Sequence, residues 1–113
     1  MQNYLKNKVL NDNLKTVYVG LLTDASTEVT AESYQRVAVT FTSSTTGEVK
    51  NTAAVTFAKA LQAWGNVTHI GIYDNATKAQ GNALFIAEAT AAKQVDKDAQ
   101  YSIPKDMLVI TIN

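Results

Sequence analysis

The sequence contains no cysteine, and only one proline, one histidine and one tryptophan among its 113 residues. Without cysteine, neither a disulfide framework nor a thiolate metal site can form. A zinc site needs three or four ligands and a general base needs an orienting partner, so His69 alone is not sufficient for either. We therefore expect a non-enzymatic protein with no metal, cofactor or catalytic residue.

The sequence also lacks an excess of charge of either sign, since ten basic residues balance ten acidic ones. Without a net field, binding to nucleic acid or to an anionic membrane is not expected. No apolar run approaches the length of a membrane span, and polar residues interrupt the opening MQNYLKNKVLNDNLK, so we expect neither a transmembrane helix nor a signal peptide. The length predicts one β-domain, residues 15–113, behind an N-terminal segment, residues 1–14.

Residues 2–14 carry the best helical pattern, with apolar pairs spaced four apart at Leu5 and Val9 and at Leu10 and Leu14. A helix this short is marginal alone in water and needs a surface to dock against. Either it plugs one end of its own β-domain, or it anchors the protein to a neighbouring subunit or larger assembly. The anchor hypothesis assigns the contact to four apolar residues: Tyr4, Leu5, Val9 and Leu10.

Elsewhere the pattern predicts about seven strands separated by polar turns, which favours a mainly β fold, an antiparallel sandwich or jelly-roll-like domain. The tetrapeptide AVTF occurs at residues 38–41 and again at 54–57, sixteen residues later (54 minus 38). We expect these two strands to pair as a long antiparallel hairpin. Gly47 in the intervening link is expected to adopt positive φ.

The segment from Trp64 to Asp74, WGNVTHIGIYD, predicts a central strand because both of its alternating faces carry apolar groups. His69 lies beside Gly71, which indicates a close contact with another backbone or across a symmetry axis. Trp64 at the strand start is typical of a core lid whose indole N–H finds a carbonyl. Both residues are also candidates for contacts between subunits.

A second hypothesis is a receptor-recognition module that binds host-surface glycans. Its stacking platform would use Trp64, Tyr73 or Tyr101, and it requires these aromatic rings to be exposed.

Three ordered motifs run through the chain: YQRVAVTF from Tyr34, NTAAVTF from Asn51 and WGNVTHIGIYD from Trp64. With the opening NYLKNKVLN, the strand VYVGLLTD, Glu28 in the loop that follows and the later segment LFIAEA, this series resembles small tailed-bacteriophage virion proteins usually labelled tail fibre proteins. The resemblance implies a non-enzymatic β-rich structural protein, made in the host bacterial cytoplasm and carried on the virion. It also implies a homotrimer attached to capsid or tail proteins, as a tail fibre or as a head decoration or head fibre.

Overall fold

The computed structural model describes residues 2–44 and 46–111. Within these ranges the chain forms one helix and nine strands. They are α1 (Asn3–Asn13), β1 (Val17–Asp24), β2 (Thr27–Glu28), β3 (Val37–Val39), β4 (Glu48–Lys50), β5 (Val55–Thr56), β6 (Gly65–Tyr73), β7 (Ala83–Val95), β8 (Ser102–Ile103) and β9 (Val109–Thr111). In this part of the chain, no helix has the length and apolar content that crossing a membrane requires.

The main sheet has five antiparallel strands, with β2, β1, β6 and β7 in that order and β3 also paired to β1. Two small ladders, β4 with β9 and β5 with β8, complete a roughly sandwich-like body. The expected mainly β antiparallel fold with a short N-terminal helix is therefore confirmed. The predicted central strand is β6, which lies between β1 and β7.

The core contains a cluster of four aromatic rings. Tyr34 stacks on Phe57 at 6.3 Å, Trp64 meets both rings edge-on, and Tyr101 meets Phe57 edge-on at 6.0 Å. Such offset and edge-on pairs each contribute about 0.5–1.5 kcal/mol beyond the area they bury. The cluster holds loops and short strands against the core in a region where the β-ladders have only a few residue pairs.

The predicted hairpin between the two AVTF segments is wrong. Residues 37–39 pair with β1, and residues 55–56 pair with β8. A hairpin does form, but its bridge is Phe41 with Asn51, and Gly47 within it has φ 81°. Alternation of apolar and polar residues indicates which side chains of a strand face inward, but it carries no information about which strand lies alongside.

Strand number also differs from the expected value of about seven. The sequence pattern predicts one strand at 83–88 and a second at 91–95, but residues 83–95 form a single strand, β7, with a register shift against β6. Three short strands, β2, β4 and β8, also contribute to the difference. Runs of two or three residues are too short for periodicity to reveal.

Asn51 follows β4 at one end of the β4–β9 ladder and is fully buried. Its Nδ2 donates to the carbonyls of Ala53 (2.8 Å) and Pro104 (3.0 Å), and its Oδ1 accepts the N–H of Leu108 (2.9 Å). The side chain therefore supplies hydrogen bonds to three backbone groups beside it.

We predict that Asn51→Ala lowers the free energy of unfolding by about 2–4 kcal/mol, because each buried group left unpaired costs about 1–3 kcal/mol. Urea unfolding measures this loss. Asn66→Ala is the matched control, since Asn66 is exposed on β6, and it should change stability by less than about 0.5 kcal/mol. Equal losses for the two variants would contradict the prediction.

Candidate interaction surface

The helix α1 docks on its own β-domain through one face. Asn7, Leu10, Asn11 and Leu14 share this face because they follow i, i+3, i+4, i+7 spacing. Leu10 and Leu14 are buried in the core, which contributes roughly 1.5–3 kcal/mol for each side chain before ordering costs. This face of the helix therefore packs on its own β-domain, which is the first of the two arrangements that the sequence left open.

Two asparagines on the same face bind the loop ahead of β4. The side chain of Asn11 accepts the Ser44 N–H at 2.7 Å and donates to its carbonyl at 3.2 Å. Asn7 Oδ1 accepts both the Ser44 hydroxyl (2.6 Å) and the Gly47 N–H (2.9 Å). We name this set of contacts the asparagine clamp. It fixes the rotation of α1 about its axis, which apolar packing alone does not specify.

The four proposed anchor residues separate into two environments. Tyr4 is 79% exposed and Leu5 is 47% exposed, whereas Val9 is half-buried and Leu10 is 1% exposed. Leu10 packs inside its own chain, so its side chain is not presented to a partner. Leu5 and Val9 lie on the helix side opposite the clamp, as their spacing from Asn7 and Asn11 dictates. The exposed apolar surface of the helix is thus its N-terminal turn, Tyr4 and Leu5.

A buried ion pair between Glu28 and Arg36 lies under the loop that joins β6 to β7. The guanidinium binds the carboxylate in a bidentate fork, with Nε to Oε2 and Nη2 to Oε1 both at 2.7 Å. Its remaining Nη1 donates to the carbonyls of Asn75 and Gln80, each at 2.8 Å. Arginine suits this position because its planar fork offers several donors in fixed directions.

Next to the ion pair, two glycines leave the space that the ring of Tyr73 occupies. Gly20 and Gly71 are directly opposite each other on β1 and β6. A Cβ on either would lie 2.6 Å from Cε2 of Tyr73, so the ring fits only above glycine. The Arg36 guanidinium then stacks 3.7 Å from the centre of the Tyr73 ring. The close approach indicated by Gly71 is therefore filled by a ring of the same chain.

Burial raises the pKa of Glu28, but hydrogen bonds from Arg36, from the Tyr34 hydroxyl and from the Ala79 N–H, together with the Arg36 charge, outweigh it. The pKa of Glu28 consequently lies below its ordinary value of 4.5. Burial and the bond to Glu28 raise the pKa of Tyr34 far above its ordinary range. Tyr34 thus stays protonated and donates to Glu28 at 2.6 Å while accepting the Leu21 N–H at 2.9 Å.

The three aromatic side chains of the glycan hypothesis do not form an exposed platform. Trp64, Tyr73 and Tyr101 are each less than one-tenth exposed. Trp64 is a core residue, as expected, but its indole N–H donates to the Ser33 hydroxyl at 2.9 Å rather than to a carbonyl. These positions leave no ring face on which a sugar could stack.

His69 lies in β6 between Leu22 of β1 and Glu88 of β7. It is half-buried, and its Nδ1 lies 2.8 Å from the Thr68 hydroxyl. It does not line the groove beside α1 or the groove of about 500 Å³ beside β7. In residues 2–44 and 46–111, no group of three or more His, Cys, Asp or Glu side chains could hold a metal ion.

Sequence reasoning did not identify the clamp or the ion pair. Asn7 and Asn11 are spaced four apart beside Leu10 and Leu14, so a polar i, i+4 pattern next to the apolar one was available as a signal. Glu28 and Arg36 were noted only as part of a motif. Their pairing depends on a loop path that no local pattern specifies.

Comparison with known families gives one match over nearly the whole chain. The model of the family described as podophage GP4 fiber I protein gp80 matches residues 1–111. No curated protein matches the sequence.

We predict that replacing both clamp residues, Asn7→Ala with Asn11→Ala, increases amide hydrogen exchange throughout α1 and lowers the free energy of unfolding by about 1–3 kcal/mol. The reason is that the Ser44 N–H loses its acceptor and the Gly47 N–H keeps only the Ser44 hydroxyl. Lys8→Ala is the control, because it removes only the exposed pair with Asp12, worth about 0.3–0.5 kcal/mol. Unchanged exchange in the double variant would show that apolar packing alone holds the helix.

We predict that stability falls as the pH falls below the ordinary Glu28 value of 4.5. A carboxyl whose pKa is lower in the folded state stabilises the fold above its unfolded pKa, and this contribution is lost as pH falls through the folded value. In Glu28→Gln the dependence should be shallower. Asp24 and Asp74 also have lowered pKa values but are present in both proteins.

Urea unfolding of both proteins between about pH 3 and pH 7 provides the measurement. Glu28→Gln should be less stable at neutral pH by about 3–5 kcal/mol, because it leaves the Arg36 charge without its counter-ion. Parallel stability curves for the two proteins would contradict the assignment.

Proposed function

Because the chain belongs to the podophage GP4 fiber I protein gp80 family, we propose that it is a non-enzymatic fibre component that assembles with copies of itself and attaches to other virion proteins. Three copies are expected for a protein that resembles phage fibres. The β-domain is a rigid body, and α1 presents the attachment contact. Either the head or the tail could provide the partner.

The observation that carries this proposal is the exposed N-terminal turn of a firmly docked helix. Tyr4 and Leu5 project two apolar side chains into solvent, while the clamp and the buried Leu10 hold the helix in place. An apolar anchor that is already ordered loses little conformational entropy when it binds. The division into an anchor, residues 1–14, and a β-domain, residues 15–113, is part of the proposal.

Non-enzymatic function is supported by the environment of the one histidine, which contacts Thr68 and lines neither groove described above. The titratable cluster of Glu28, Tyr34 and Arg36 is buried and fully occupied by contacts within the chain. A group whose hydrogen bonds are all made to other groups of the fold is not positioned to act on a substrate.

We predict that Tyr4→Ser combined with Leu5→Ser abolishes incorporation into phage particles and leaves the free energy of unfolding within about 0.5 kcal/mol of wild type. Leu61→Ser is the matched control, since Leu61 is an exposed apolar residue far from α1 in sequence. It should incorporate normally. Quantitative blotting of purified particles measures incorporation, and wild-type levels of the double variant would overturn the proposal.

A further inference from the structure

The main sheet has one long edge, β7, and an opposite edge made only of the short strands β2 and β3. The outer side of β1 is covered by β2 and β3, whereas β7 is last in the strand order. In the described ranges, no strand pairs with the outer edge of its thirteen residues. A long edge displays a row of unpaired N–H and C=O groups that a further extended strand can bind.

The first part of this edge lacks the residues that usually prevent strand addition. Segment 83–87 contains no charge and no proline, and Ile86 is 42% exposed. Sheet edges in monomeric proteins are commonly blocked by lysine, proline or inward-pointing charges. This part of the edge therefore does not block a further strand from adding along β7.

The charge order along β7 indicates a second copy of the same strand. The strand carries one acid, Glu88, and one base, Lys93. A parallel in-register pair would place like charges side by side. An antiparallel pair places the acid of each copy near the base of the other, which is the arrangement that stabilises cross-strand pairs.

The register of β7 on β6 allows this pairing to be symmetric. A two-fold axis perpendicular to the sheet requires Glu88 and Lys93 to lie on the same face. Their partners on β6 are His69 and Val67, which are two residues apart and so lie on one face. Because these β6 partners are two residues apart, the backbone N–H and C=O groups of Glu88 and Lys93 point to the same side of β7.

We infer that β7 is an assembly edge at which a second copy of the chain adds its own β7, antiparallel across a two-fold axis, with Glu88 of each copy opposite Lys93 of the other. In this register the regular segment 86–88 of one copy pairs with 93–95 of its mate. Residues 89–92, which lie opposite Thr68 alone, meet at the axis. The interface is isologous, so it closes on two copies.

This pairing deepens the proposed self-assembly and is separable from it. Light scattering of the purified wild-type protein should give an even number of chains, two alone or six if trimers also form. A mass of three chains would support the proposed trimer and overturn the strand pairing. A monomer would overturn both.

We predict that Glu88→Lys and Lys93→Glu each halve the wild-type mass, because like charges then oppose each other across the axis. The double exchange should restore it. Glu32→Lys is the control for net charge, since Glu32 is exposed outside the strands. Unchanged mass in Glu88→Lys, or a folded double exchange that stays at half mass, would overturn the inference.

Disulfide trapping supplies a second measurement, because Lys93 also contacts the Gln100 carbonyl and the Tyr101 ring within its own chain. The sequence has no cysteine of its own. Opposed residues on antiparallel strands have Cα atoms about 4.5–5.5 Å apart, within the range that a disulfide spans. Glu88→Cys mixed with Lys93→Cys should cross-link faster than either alone, and equal rates would contradict the register.

Discussion

The ion pair between Glu28 and Arg36 is the interaction on which the arrangement of the loops depends. Taking two charges out of water costs several kcal/mol for each ion, and only complete hydrogen bonding offsets that cost. The structure meets this condition, since Arg36 binds the carboxylate twice and two loop carbonyls once each, while Tyr34 and Ala79 donate to Glu28. A network of this kind is stable only when all of its members are in place. The loop at 74–82 is therefore expected to order together with the strands beneath it.

The same ion pair explains the asymmetry of the sheet. Glu28 ends β2 and Arg36 immediately precedes β3, so their contact holds two very short strands against the outer side of β1. Strands of two and three residues supply too few ladder bonds to stay in place alone. The edge beside β1 therefore carries only strands of two and three residues, held in place by the ion pair, and the thirteen-residue β7 forms the other edge. The chain thus confines its long strand edge to one side of the sheet.

The sequence predicted what depends on local pattern, namely a β-rich antiparallel fold, the N-terminal helix, the central strand and the buried tryptophan. It did not predict the features that depend on contacts between segments far apart in the sequence. The second AVTF segment pairs with β8 because strand partners are chosen by the whole fold, while alternation specifies only the inward face. Leu10 was assigned to an anchor because its spacing matches an exposed stripe as well as a buried one. Asn7 and Asn11 had a visible spacing, but their acceptors and donors lie more than thirty residues away.

The docking of α1 connects the fold to the proposed attachment role. An eleven-residue helix is marginal alone, since nucleation is costly and few hydrogen bonds follow. Here the clamp and two buried leucines supply the missing stabilisation on one face, which leaves Tyr4 and Leu5 ordered on exposed helix surface. A disordered N-terminal peptide with the same residues would lose conformational entropy on binding, whereas the docked helix has already lost it during folding. The free energy of folding the β-domain therefore orders the proposed apolar contact in advance, and under that proposal a mutation that loosens the clamp should weaken attachment even though the contact residues are unchanged.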